Sequence, residues 1–110
     1  MEIEQAKEEV DNIGAAYFYD DLDSFTIDQI INRIVSEILQ ATKLRGLHYS
    51  EVSRDAFFQI LKELNQEELN VMLESFGLCP EQVGGSRAFF QRIVTEMDKA
   101  ILEVKPKLTE

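Results

Sequence analysis

Cysteine is nearly absent from this chain: Cys79 stands alone, so no internal disulfide can form and a reducing compartment is expected. There is no Trp, and only two Pro and five Gly in 110 residues. That scarcity disfavours a loop-rich fold and favours long regular elements. The single His, His48, and the single Cys cannot build a closed zinc site within one chain. No apolar run approaches the ~20 residues that span a bilayer. The start Met1-Glu2-Ile3-Glu4 lacks the basic residue and apolar stretch of a signal peptide. A cytoplasmic protein without a membrane partner is the expectation.

Bases are scarce too, and unevenly so. Nine of the first 28 residues are acidic (Glu2, Glu4, Glu8, Glu9, Asp11, Asp20, Asp21, Asp23, Asp28), answered only by Lys7. That segment holds −8 of the chain's −10, which leaves residues 29–110 near neutral at −2. Such a field attracts cationic partners and repels nucleic acid and anionic lipid. No three of the 11 Lys and Arg are adjacent, so a nucleic-acid footprint is missing.

What the chain does have is helical periodicity. Within Ile27–Leu39 every apolar residue falls at 27, 30, 31, 34, 35, 38 or 39, a spacing of three and four that covers about half a helix. Thr26 with Gln29 forms a capping box, Phe25 and Ile30 a hydrophobic staple, and Gly46 a stop. A second helix is expected from Ser53 to Leu64 with Ser53 as its cap. A third follows the cap at Asn65, with Glu68 as capping-box partner, and ends in a Schellman turn at Gly77-Leu78. Ser86 is expected to cap a last helix running to Val104, and Pro106 to end it. The segments Ser53–Ile60 and Ser86–Ile93 resemble one another, which two similarly capped helices explain.

Upstream, Ile3, Ala6, Val10, Ile13 and Tyr17 form a seam about two side chains wide, narrower than a core helix usually carries. The expected fold is all-α: a compact bundle of about five helices around Ile30, Ile34, Phe57, Leu61, Met72, Phe90 and Met97, with a less firmly packed acidic helix at the N-terminus. In domain terms, 1–22 is an acidic arm, 26–104 the helical core and 105–110 a frayed tail. Residues 20–110 are expected to fold without the arm while losing partner binding or dimerisation.

No constellation reads as catalytic. His48 and Cys79 are far apart in sequence and neither lies in a motif. Gly84-Gly85-Ser86 lacks the Lys and the preceding strand of a phosphate loop. The aspartates Asp20, Asp21, Asp23 and Asp28 fail the EF-hand pattern, since position six is Thr26 or Phe25 and position twelve Asn32 or Ile31 in the two registers tried. No catalytic, cofactor-binding or metal residue is therefore assigned.

The functional expectation is a non-catalytic interaction module, whether adaptor, regulator or inhibitor, whose acidic arm engages a basic protein partner or a second copy of the chain. Its contact residues would be Glu4, Glu8, Asp11, Tyr19, Asp20, Asp21 and Asp23, because carboxylates beside Tyr select a basic surface. Val71, off its helix's apolar face, is either an exposed contact or a scattered surface residue of the ordinary kind. The alternative is a small ion-binding protein or enzyme using the Asp20–Asp28 carboxylates.

Overall fold

In the computed structural model, five helices follow one another: α1 (Ile3–Tyr17), α2 (Ile27–Arg45), α3 (Leu47–Glu63), α4 (Gln66–Ser75) and α5 (Ser86–Leu108), with a 3-10 turn at Pro80–Val83 before α5. The backbone is described for residues 2–17 and 26–108, and the side chains for these except 16, 17, 47 and 104–108. No strand occurs among the described residues. The fold is the all-α bundle that the spacing of apolar residues requires.

The core gathers Ile30 and Ile34 of α2, Phe57 and Leu61 of α3, Met72 of α4 and Phe90 and Met97 of α5, all buried. At its centre Phe57 and Phe90 lie with ring centroids 5.9 Å apart, and Phe76 meets Phe90 edge-on. Helices α3 and α5 run antiparallel through this contact, because Arg54 reaches Asp98 while Arg87 reaches Leu61 and Leu64. The two similar segments are thus partners across one interface.

Local chemistry sets most of the boundaries. The Thr26–Gln29 capping box forms in both directions, at 2.9 and 3.2 Å. The Asn65–Glu68 box does the same at 3.1 and 2.8 Å. At the end of α4, Gly77 N–H donates to Glu74 and Leu78 N–H to Leu73, the paired bonds of a Schellman turn, and Gly77 takes the positive φ that the turn demands.

Three boundaries differ from the sequence expectation. Helix α3 begins at Leu47, six residues before Ser53, because Gly46 at φ 93° turns the chain from α2 into α3 in a single residue. Ser53 is inside the helix and donates back to the Tyr49 carbonyl at 2.9 Å. Ser50 and Ser53 are both buried, and Ser50 is bonded to Thr42 of α2. Ser86 likewise lies within α5, where its hydroxyl donates to Asn70 at 2.6 Å and accepts from Gln66 at 2.8 Å, tying α5 to α4. Helix α5 also runs past Pro106 to Leu108.

The narrow seam of α1 is docked at full depth. Ala6, Val10 and Ile13 are buried in the common core, with Ile3 packed at its edge. Against α3 and Phe76 the helix therefore completes the core, and the expectation that the remainder folds unaided does not follow from the structure. Its smallest contact explains Gly14: a Cβ there would run into the Cδ1, Cε1 and Cζ atoms of Phe76. The glycine that weakens the helix locally lets it approach an aromatic ring.

A candidate partner-binding groove

With its seam turned inward, α1 presents its flanks to solvent on either side. Lys7 and Asp11, four residues apart, lie on the flank that faces α4. Together with Leu64, Glu67, Glu68, Val71, Met72 and Ser75 they line a groove of about 610 Å3. The position of α4 follows from the sharp corner at Leu64, which leaves α3 in extended backbone before the Asn65 cap starts the next helix.

The groove has an apolar base and an acidic rim. Leu64 and Met72 are buried at its floor, while Val71 stands at its lip, 67% exposed. Asp11, Glu67 and Glu68 supply three carboxylates against one base, Lys7, whose ammonium lies 3.9 Å from Glu4. The Asp11 carboxyl is pushed above its ordinary value by burial, an effect that Lys7 only partly offsets. A carboxylate that loses solvation without a matching cation is a poor stabiliser of the fold and a ready partner for an incoming one.

Of the residues expected to contact a partner, Asp11 enters the groove and Glu4 sits beside it through Lys7, exposed to solvent. Glu8 is exposed on the outer face of α1. Tyr19, Asp20, Asp21 and Asp23 lie outside the described residues, and with them most of the aspartate group considered for an ion. Asp28, its last member, accepts from Arg92 of α5 at 2.6 Å. Glu67 and Glu68 were not expected. Glu68 already had a local role in the Asn65 capping box, which hid its second position on the groove rim. On the α4 side of the groove, Val71 was the one signal in the sequence.

The other flank of α1 carries Glu9 and Asn12, which with Arg45, His48 and Tyr49 border a polar cleft of about 680 Å3. His48 is therefore in the first turn of α3, not in a connecting loop, and is exposed. The Arg45 guanidinium stacks over the Tyr49 ring at 5.2 Å. Among the described residues no Cys, Ser or Thr borders this cleft. Cys79 is exposed just ahead of the 3-10 turn.

Among the described residues no three His, Cys, Asp or Glu side chains converge as metal ligands, and no helix is long and apolar enough to cross a membrane. Comparison with protein-family models, with curated proteins and with solved structures finds no match for this chain.

Proposed function

We propose that this protein is a non-catalytic interaction module whose groove between α1 and α4 receives a basic amphipathic helix of a partner protein. One observation carries the reading: Asp11, Glu67 and Glu68 stand around an apolar floor of Leu64 and Met72, with the exposed Val71 at its lip. An amphipathic helix offers the complement, apolar side chains at i, i+3 and i+4 for the floor with Lys or Arg beside them for the rim. The charge selects the partner and speeds its encounter, while burial of the exposed Val71 over the apolar floor holds it.

A second copy of the chain is a poor occupant of the same groove, since at net −10 it brings like charge to an acidic rim. The reading is tested with a labelled helical peptide of Leu and Lys, followed by fluorescence anisotropy across a salt series. Binding at low salt that fades toward 1 M, where the Debye length is ~3 Å, supports it. Equal binding of the Leu and Glu counterpart would sink it.

A further inference from the structure

The chain is acidic as a whole, yet among the described residues one groove is bordered by no acid. Between the end of α3 and the start of α5 lies a groove of about 640 Å3, and its nine bordering residues include Lys62 and Arg87 but no Asp or Glu. Phe58 stands in it 51% exposed, with the Lys62 ammonium 5.9 Å from its ring centre. Leu61 is buried at the floor. Ala88 and Gln91 form the α5 wall, and Gly84-Gly85 leaves one end without side chains.

Among the described residues neither cation forms an ion pair. Arg87 donates to two main-chain carbonyls, of Leu61 at 2.8 Å and Leu64 at 3.0 Å, which orients the guanidinium without neutralising it. The Lys62 ammonium lies over the Phe58 ring. The nearest acid in sequence, Glu63, is bonded to Gln59. At physiological salt the Debye length is ~8 Å, whereas the molecule measures 42 × 33 × 20 Å. A ligand in this groove therefore feels the bordering Lys62 and Arg87 most strongly.

We propose that this groove is a second docking surface, opposite in sign to the first, for an acidic peptide segment of a partner protein that sets an apolar side chain on Phe58 and a carboxylate on Lys62. A half-exposed aromatic ring with a cation at its face suits such a segment, because the ring holds the apolar group while the cation fixes the charge beside it. A nucleic acid fits less well. Its phosphates continue beyond the two cations onto a chain of net charge −10, where a short carboxylate segment stops. The protein would then join a basic partner on the α1–α4 face to an acidic one on the α3–α5 face. The second surface stands whether or not the first binds its peptide.

The experiment is a titration of the 15N-labelled full chain, followed by its amide spectra. The probes are a short peptide of Glu, Leu and Phe, the same peptide with Lys for Glu, and an oligothymidylate of similar length. The acidic peptide is expected to move the amides of Phe58, Lys62, Gly84, Ala88 and Gln91. Lys62→Glu should weaken it by roughly tenfold or more, Phe58→Ser should also weaken it, and Lys62→Arg should preserve it. Both positions are solvent-exposed, so the variants keep a native melt. Shifts confined to α1 and α4, no shifts, unaltered affinity in Lys62→Glu, or equal binding of the oligothymidylate at the same amides would each overturn the proposal.

Discussion

Gly14→Ala separates local helix chemistry from packing, because the two give opposite signs. In an isolated helix the change is favourable by about 1 kcal/mol. In the folded chain the new methyl would meet three ring carbons of Phe76, even the farthest, Cζ, at only 2.8 Å. Phe76 is buried and lies edge-on to Phe90, with ring centroids 6.5 Å apart at 88°, so its ring has little room to withdraw. Overpacking of this kind costs about 1–3 kcal/mol, and a clash with the body of a ring belongs near the upper end. The net expectation is a loss of about 1–2 kcal/mol, or a melting temperature lower by roughly 5–10 °C for a domain of this size. Thermal unfolding followed by circular dichroism reads this directly. Phe76→Leu removes the ring, so the double variant should be more stable than the two single losses predict, by a coupling of at least about 0.5 kcal/mol. A Gly14→Ala protein that melts higher than the native chain, or additive losses in the cycle, would refute the packing of α1 on Phe76.

Three further outcomes follow from named contacts. Arg87→Met removes the donors to Leu61 and Leu64 at the end of α3 and should cost about 1–3 kcal/mol in urea unfolding, with no change if those carbonyls are satisfied otherwise. Ile34→Asp buries an unpaired charge at a position 1% exposed and should abolish the cooperative melt. Asp11, whose carboxyl burial holds above its ordinary value, keeps its proton to higher pH when native than when unfolded. Its contribution to stability is therefore full below the ordinary carboxylate range and lost as pH rises through the raised value. Asp11→Asn should leave stability at neutral pH equal or slightly higher while weakening the basic peptide, and a clear fall in neutral-pH stability would contradict this.

The helices were legible where apolar spacing and capping coincide, as at Thr26–Gln29 and Asn65–Glu68. They were less so where a residue has two uses. Ser53 and Ser86 have the chemistry of caps, but inside a helix a serine hydroxyl can bond to the preceding turn or to a neighbouring helix, and here it does each once. The seam of α1 was visible from Ile3 to Tyr17, yet its depth was not. Width measures how many neighbours a helix has, and α1 needs only α3 and Phe76. The candidate groove joins residues more than fifty positions apart, so the sequence offered one half as Asp11 and the other only as the misplaced apolar Val71.

The proposed recognition of a basic helix is tested most directly by exchanging charge across the groove. Asp11 and Glu67 are the rim acids to reverse, since Glu68 also accepts from the Asn65 N–H in the cap of α4. Anisotropy titrations of the Leu and Lys peptide and of its Leu and Glu counterpart, each against native protein and against Asp11→Lys/Glu67→Lys, give four affinities under one salt condition. The account predicts that the native chain prefers the Lys peptide by about tenfold or more and that the double variant inverts the preference. A native-like melt together with an unchanged preference in the double variant would place the binding surface elsewhere.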